Sequence, residues 1–181
     1  MYKMNNKPPT PNCNYIISEQ IMFGWYPSPP DTSGIYSNNI DALISTERNV
    51  FVNLTTLDET SSLYDYKPYT KHHLPETLFL SYPIPDCGIP TDNDSFCKLI
   101  VKLYELIQKG MKLYIHCRGG HGRSGIVVGC LLINMGYNVE EVLKLLTMAH
   151  KTREYIPDYP CPQTQEQIQY IRDYKKSDTQ Q

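Results

Sequence analysis

Short apolar runs alternate with amphipathic stretches along the chain, and together the two patterns predict an α/β domain. The runs are rich in β-branched and aromatic side chains and are bounded by polar residues, as buried strands are. Strands that alternate with helices in this way predict a central, mostly parallel sheet of about four to five strands flanked by helices. The predicted strands lie at residues 16–17, 21–23, 50–54, 78–82 and 113–116, with the first two placed at the sheet edge.

Apolar residues at helical spacing predict that helices dominate the second half of the chain. Residues 124–134 are apolar on nearly all sides, so this helix is predicted to lie at the centre of the fold. Polar pairs three residues apart predict where the other helices begin, because their side chains can cap free backbone N–H groups. These pairs are Thr91 with Asp94, Asn138 with Glu141, and Thr164 with Gln167.

The organisation of the chain points to one domain. Its 181 residues are within the size of a single domain, and no internal repeat or shift in composition marks a second one. The polar and proline-rich residues 1–14 predict a flexible arm, residues 15–176 the domain itself, and residues 177–181 a disordered tail. Residues 55–75 are polar, rich in tyrosine and without a clear period, so they predict a long surface loop.

Composition and charge narrow the classes of partner. The net charge is −2, without a basic run, so we expect no attraction to nucleic acid. No apolar run is long enough to cross a bilayer, and the N-terminus lacks a signal-peptide core, so we expect an intracellular, cytoplasmic protein, with the nucleus also open to it. The six cysteines form no C-x-x-C pair and have no zinc-like spacing, so we expect no metal. The expected intracellular setting predicts reduced thiols.

A glycine-rich turn between a predicted strand and the central helix holds the candidate chemistry. Its residues are His116, Cys117, Arg118, Gly119, Gly120, His121, Gly122, Arg123 and Ser124. Glycines let successive backbone N–H groups converge, and the helix N-terminus adds partial positive charge at the same point. We therefore predict that residues 118–123 form a phosphate-sized anion nest, in which Arg123 binds two phosphate oxygens. The same field favours the thiolate of Cys117, which is placed for in-line attack on phosphorus.

The run His-Cys-x5-Arg-Ser before an apolar helix resembles the signature of cysteine-dependent protein-tyrosine and dual-specificity phosphatases. Residues 82–174 resemble kinase-associated phosphatase and related atypical members, which have similar Gly-Gly-x-Gly-Arg-Ser loops. The resemblance implies a phosphatase fold, with the loop between a central strand and a buried helix, that acts on phosphorylated proteins without a cofactor. It implies that Cys117 becomes a phosphocysteine and that Arg123 binds phosphate. It also implies that His116 supports the loop and that the Ser124 hydroxyl binds the leaving thiolate.

The resemblance also supplies candidates for the general acid and for positioning water. The family places an aspartate on a loop upstream of the cysteine, and Asp86, after Pro85, stands at that distance. Asp92 and Asp94 are rivals that we rank lower, because carboxylates are favoured at helix starts anyway. The tryptophan that precedes Pro-Asp in receptor-type tyrosine phosphatases is absent. The sequence Gln-Thr-x-x-Gln resembles the family's glutamine loop, with Gln163 as the water-positioning residue and Gln167 as its alternative or as a cap of the last helix.

Alternative functions stay open at this point. Arg118 and His121 could make the loop basic enough for a phosphoinositide. RNA 5′-phosphatases share the chemistry but usually have a different loop interior, and the net charge of −2 argues against both readings. A phosphate-binding module without turnover is the third reading, and the complete set of expected catalytic residues argues against it.

The remaining cysteines suggest a redox hypothesis. A nucleophilic thiolate oxidises easily, and a neighbouring thiol can protect it as a disulfide. Cys87, Cys130 and Cys161 are the candidate partners of Cys117.

Overall fold

A five-stranded sheet with helices packed on it forms the fold, as the apolar pattern predicts. The structure is a computed structural model that describes residues 7–30, 32 and 38–175. Its elements in chain order are β1 (Cys13–Ile16), β2 (Ser18–Gly24), α1 (Ile40–Ile44), β3 (Val50–Asn53), α2 (Leu57–Ser61), α3 (Lys67–His73), β4 (Leu78–Ser81), α4 (Asn93–Gln108), β5 (Leu113–His116), α5 (Arg123–Asn134), α6 (Val139–His150) and α7 (Gln165–Asp173).

The strand order places the candidate loop at the middle of the sheet. The order is β1-β2-β5-β3-β4, with β1 antiparallel to β2 and every other pair parallel. His116, the last residue of β5, lies level with Gly24 on one side and Asn53 on the other. The segments that follow these three parallel strands therefore leave the sheet together at the carboxyl ends of the strands, where ligands bind in open α/β folds.

Side chains alternate across the sheet and build two apolar layers. Val52 and Ile115 face the larger layer, which contains the buried sides of α4, α5, α6 and α7. Phe51 and Tyr114 face the smaller layer, which contains α1 and Tyr66. α5 is buried along nearly its whole length, so the helix that follows the candidate loop lies at the centre of the fold, as predicted.

The predicted surface loop at residues 55–75 is wrong, because two short helices, α2 and α3, form there. Thr56 caps α2 by accepting from the backbone N–H of Glu59, whose carboxylate bonds back to the Thr56 N–H. The start of α4 also differs from the prediction. The capping side chain is Asp92, not Thr91, and it accepts from Asp94 N–H and Ser95 N–H.

The first strands also differ from their predicted places. β1 begins at Cys13, and Thr10 and Asn14 are buried, so the predicted arm of residues 1–14 contains part of the packed fold. β2 was expected at the sheet edge but pairs with β1 and with β5. Residues 1–6 of the arm and the predicted tail at residues 177–181 lie outside the described residues. Within the described part of the chain, no helix is long and apolar enough to cross a membrane.

Candidate active site

Cys117 lies at the base of a tight loop between β5 and α5. The thiol is almost fully buried, and the backbone N–H of Gly120 donates a hydrogen bond to Sγ at 3.2 Å. α5 begins at Arg123, with Gly122 at its cap position, so the helix N-terminus opens onto the same loop. A backbone N–H at the sulfur and a helix N-terminus beside it both favour negative charge there. This geometry suits an anion, and the anion nest at residues 118–123 stays a prediction.

Gly120 is required by the close approach of the loop to β2. Its φ is +65°, and a Cβ at this position would lie 2.0 Å from the backbone carbon of Gly24. No side chain fits so close to the backbone of another strand. The absence of a Cβ on Gly120 therefore lets the loop pack directly on the end of β2.

Arg123 is held in place by Glu59, a residue that the sequence analysis did not identify. Nη1 donates to Oε2 at 2.6 Å and Nη2 donates to Oε1 at 2.9 Å, a bidentate pair in which Arg123 is buried and Glu59 is partly buried. The hydrogen bonds from Arg123 lower the pKa of Glu59 to about 2, despite its partial burial. The capping pattern of Thr56 with Glu59 was the available signal, although it indicates a helix start and not a partner for Arg123.

Asp86, the predicted general acid, also lies against Arg123. Its Oδ1 is 2.8 Å from Nη2, while Nη1 donates to the Ile84 carbonyl at 3.1 Å. Glu59 and the Ile84 carbonyl accept three hydrogen bonds from the terminal nitrogens of Arg123, and Asp86 forms an ion pair with Nη2. A phosphate that binds through Nη2 would therefore compete with Asp86, whose side chain is two-thirds exposed at 67%.

His116 lies behind the loop in an aromatic environment. Its Nε2 forms a 2.7 Å hydrogen bond with the hydroxyl of Tyr66, and the rings of Tyr26 and Tyr114 pack against the imidazole. Complete burial lowers the pKa of His116 to about 3, so the ring is neutral near pH 7. His116 is therefore a packed, hydrogen-bonded residue rather than a cation, and its role in supporting the loop stays a prediction.

Ser124 follows Arg123 in the first turn of α5. Its side chain is fully buried, and within the described part of the chain its hydroxyl has no hydrogen-bond partner. A hydroxyl in this position is available to a new acceptor in the loop, as the resemblance implies for the Cys117 sulfur.

Gln163 and Gln167 both lie against the loop. A Cβ on Gly122 would be 3.0 Å from the Oε1 atom of each glutamine. Gln167 is the partner of Thr164 in the predicted cap of α7, and its Nε2 also donates to the Gly88 carbonyl at 3.0 Å. Gln167 therefore links the loop that contains Asp86 to α7. Gln163 is half-buried and lies beside the Cys117 loop.

Of the two basic loop residues, Arg118 and His121, only Arg118 carries a positive charge near pH 7. His121 is partly buried against Tyr159, with ring centroids 4.7 Å apart, and its Nδ1 is 2.8 Å from the Gly119 carbonyl oxygen. Burial and the nearby charge of Arg153 lower the pKa of His121 to about 4, so it is neutral near pH 7. Arg118 is exposed and is the cation that this part of the loop presents to solvent.

Arg153, just beyond α6, is a second residue that the sequence analysis missed. It is buried, and it donates to the Gly119 carbonyl at 3.2 Å and to the Gly120 carbonyl at 2.7 Å. Its polar neighbours in the sequence, Thr152 and Glu154, give no indication of burial, so nothing local could have identified it.

The candidate redox partners occupy different environments. Cys87 is exposed beside Asp86, and Cys130 is buried within α5. Cys161 lies against the loop, where its Sγ donates to the His121 carbonyl at 3.3 Å. Burial raises the pKa of Cys161 to about 12, so it is a thiol near pH 7. A disulfide with Cys117 stays a prediction.

Potential metal ligands are not grouped in this structure. Among residues 7–30, 32 and 38–175, no three or more histidine, cysteine, aspartate or glutamate side chains are placed to hold an ion.

Comparisons with known proteins agree with this geometry. A family model described as "PTP-SAK: Swiss Army Knife protein, DSP-PTPase phosphatase domain" matches residues 31–180. The candidate tyrosine phosphatase 067L of invertebrate iridescent virus 3 is 28% identical over 77% of this chain and 54% of its own length. The candidate tyrosine phosphatase 197R of invertebrate iridescent virus 6 is 29% identical over 90% of this chain and 53% of its own length. The chain thus spans about half the length of these relatives.

Solved structures show the same fold. A mutant form of Tk-PTP superimposes with a TM-score of 0.68 at 23% identity, over 90% of this chain and 93% of its own. Kinase associated phosphatase (KAP), with its catalytic-site cysteine substituted by serine, has a TM-score of 0.61 at 23% identity over 80% of both chains. PTPMT1 in complex with PI(5)P also has a TM-score of 0.61, at 16% identity, over 87% of this chain and 94% of its own. Because the family model covers most of the chain, the chain belongs to the DSP-PTPase family of phosphatase domains.

Proposed function

We propose that this chain hydrolyses phosphate monoesters on proteins through a phosphocysteine intermediate. The observation that carries the proposal is the grouping of three residues at the carboxyl ends of the parallel strands. Cys117 accepts an N–H at the base of the anion nest, Arg123 begins the helix that closes it, and Asp86 touches the same guanidinium. These are a nucleophile, a phosphate-binding group and an acid, which phosphoryl transfer to cysteine requires.

In the first step, the Cys117 thiolate attacks phosphorus and forms an S–P bond as the P–O bond to the leaving group breaks. Protonated Asp86, displaced from Arg123 by the phosphate, gives its proton to the leaving oxygen. The loop N–H groups and Arg123 hold the charge of the transferring phosphoryl group. The product alcohol or phenol leaves, and the enzyme carries a phosphocysteine.

In the second step, water attacks the phosphocysteine and Asp86, now a carboxylate, takes its proton. The S–P bond breaks, the electron pair returns to Cys117 as thiolate, and inorganic phosphate is released. Ser124 donates a hydrogen bond to the leaving thiolate. Gln163, beside Gly122, is the residue that we assign to positioning the water.

A groove beside the loop supports a protein substrate. Its volume is about 500 Å³, and its walls include the rigid side chains of Trp25, Pro27 and Tyr64. Arg118 and Gly119 belong to both the groove and the anion nest, so a peptide that extends from a bound phosphate can lie in it. Phosphotyrosine is the phosphoresidue that we favour, and phosphoserine and phosphothreonine are further candidates.

A phosphoinositide substrate is the second candidate, because PTPMT1, a structure with the same fold, was solved with PI(5)P. The neutral state of His121 weakens it, since one exposed arginine remains where a multiply charged headgroup would need several cations. A phosphate-binding module without turnover is the third candidate. Cys117, Arg123 and Asp86 are grouped as turnover requires, which favours an enzyme.

The direct test is hydrolysis of p-nitrophenyl phosphate in the presence of reductant and EDTA. We expect activity in the wild type, its loss in Cys117→Ser, and its retention in Cys87→Ser, which removes an exposed cysteine outside the nest. Activity that survives in Cys117→Ser, or that EDTA abolishes, would contradict the thiolate mechanism. Parallel assays with a phosphotyrosine peptide and with phosphoinositide vesicles then compare the two substrate classes, and we expect the peptide to give the higher kcat/KM.

A further inference from the structure

One planar peptide unit joins Arg153 to the nucleophile. The carbonyl of Gly119 and the N–H of Gly120 belong to the same peptide bond and point in opposite directions. The carbonyl accepts from Arg153 at 3.2 Å, and the N–H donates to Cys117 Sγ at 3.2 Å. Whatever fixes the carbonyl end of this unit therefore fixes the direction of the N–H at the sulfur.

The next peptide unit is anchored in the same way. Arg153 Nη2 donates to the Gly120 carbonyl at 2.7 Å, so the N–H of His121 at the other end of that unit is turned away from Arg153. The guanidinium thus holds two successive carbonyls on the outer side of the loop. Their N–H groups are left for the inner side, where the anion nest lies.

Two strands position Arg153 itself. Nε donates to the side-chain oxygen of Asn14 on β1 at 2.7 Å, and Nη2 also reaches the Phe23 carbonyl on β2 at 3.4 Å. The guanidinium carbon lies 5.4 Å from the centre of the Phe23 ring. The side chain is 3% exposed, so its rotamer is fixed from all sides.

Within the described part of the chain, Arg153 forms no ion pair with a carboxylate. Its hydrogen-bond acceptors there are the neutral oxygens of Asn14, Phe23, Gly119 and Gly120. A buried cation without an ion pair is costly, so an anion placed nearby is stabilised by it. The anions that this site is built to hold are the Cys117 thiolate and a bound phosphate. A cation at the carbonyl end of a peptide unit also polarises the unit and strengthens donation at its N–H end.

We propose that Arg153 is a positioning residue that orients and polarises the backbone N–H groups of the phosphate loop and supplies a second buried positive charge behind the anion site. The effect of Arg153 on turnover rests on the proposed function. Phosphate binding, in contrast, should depend on Arg153 whether or not the chain turns over substrate.

The test compares Arg153→Met and Arg153→Lys with Arg48→Met. Arg48 is the matched control, because it is also buried and also donates to a backbone carbonyl, that of Glu19, at the opposite end of the sheet. With p-nitrophenyl phosphate, we expect kcat/KM to fall about 100-fold in Arg153→Met, the size of effect seen when one oxyanion donor is lost. Lysine keeps the charge but cannot hold both carbonyls, so it should recover part of the loss.

Binding of inorganic phosphate provides the second readout. In the Cys117→Ser background, calorimetry should show phosphate affinity lowered at least tenfold by Arg153→Met and unchanged by Arg48→Met. Equal phosphate affinity in folded Cys117→Ser with and without Arg153→Met would overturn the proposal. If the wild type does not hydrolyse p-nitrophenyl phosphate, the proposed function fails and the binding comparison alone decides the role of Arg153. If Arg153→Met does not fold, the same comparison is made with Arg153→Lys.

Discussion

The carboxylate of Glu59 receives two parallel hydrogen bonds from Arg123, at 2.6 and 2.9 Å. The pair fixes the plane of the guanidinium before any substrate arrives, so the phosphate-binding edge is oriented in advance. Glu59 is itself fixed by the cap of α2, through its bond to the Thr56 N–H.

Glu59→Gln should reduce catalysis while leaving the nucleophile intact. A neutral amide cannot accept two charge-assisted hydrogen bonds, so Arg123 is expected to adopt several orientations. We expect kcat/KM for p-nitrophenyl phosphate to fall by about 10- to 100-fold. Asp58→Asn, a neighbouring acidic residue of α2, is the matched control and should retain wild-type activity. Full activity in Glu59→Gln would show that the pair does not orient Arg123 for catalysis.

Asp86→Asn should separate phosphate binding from turnover. The variant lacks the proton donor for the leaving group, so kcat should fall by about 100-fold or more. Phosphate affinity should not fall, because Asp86 competes with phosphate for Nη2 of Arg123. Asp92→Asn tests the rival assignment, and since asparagine also caps helices well, this variant should keep both its stability and its activity. A larger loss in Asp92→Asn than in Asp86→Asn would reverse the assignment.

Gly120→Ala should remove activity and destabilise the protein. The added methyl group would overlap the backbone of Gly24, and the φ of +65° is unfavourable for alanine as well. Gly110 is the matched control, because its φ is +79° but a Cβ there meets nothing within 4 Å. We expect Gly110→Ala to cost about 1–2 kcal/mol with full activity. Thermal unfolding and hydrolysis assays on both variants distinguish the steric effect from the backbone effect.

Stability should fall as the pH is lowered from about 6.5 towards 4. Burial lowers the pKa of His116 and of His150 to about 3 and that of His121 to about 4, so the folded protein keeps these rings neutral where the unfolded chain protonates them. The unfolded state then binds more protons, and the free energy of unfolding rises with pH across this window. Urea unfolding at several pH values should give this slope, and His150→Phe should reduce it. A slope that is flat between pH 6.5 and 4 would contradict these burial effects.

The parts of the fold that the sequence predicts well are those with local causes. The loop from His116 to Ser124, the buried helix after it, and the caps at Asn138 and Thr164 each depend on residues close in the chain. The sheet follows from short apolar runs, and the structure confirms its mostly parallel arrangement.

The parts that could not be predicted depend on contacts between distant residues. Glu59 meets Arg123 across 64 positions, and Arg153 meets Asn14 across 139. Residues 55–75 lack a clear apolar period because α2 and α3 are short helices of five and seven residues, and α2 buries no residue. The position of α2 and α3 is set by the strands β3 and β4 that flank them in the chain, rather than by an apolar pattern within the two helices.

The dependence of Arg153 on β1 and β2 bears on how this domain is delimited. The family match begins at residue 31, whereas Asn14, Phe23 and Gly24 all lie before it. A fragment cut at that residue would keep the whole signature loop yet lose two of five strands and the surface against which Gly120 packs. We expect such a fragment to contain every proposed catalytic residue and still fail to bind phosphate, because the folded sheet extends beyond the segment that the family model matches.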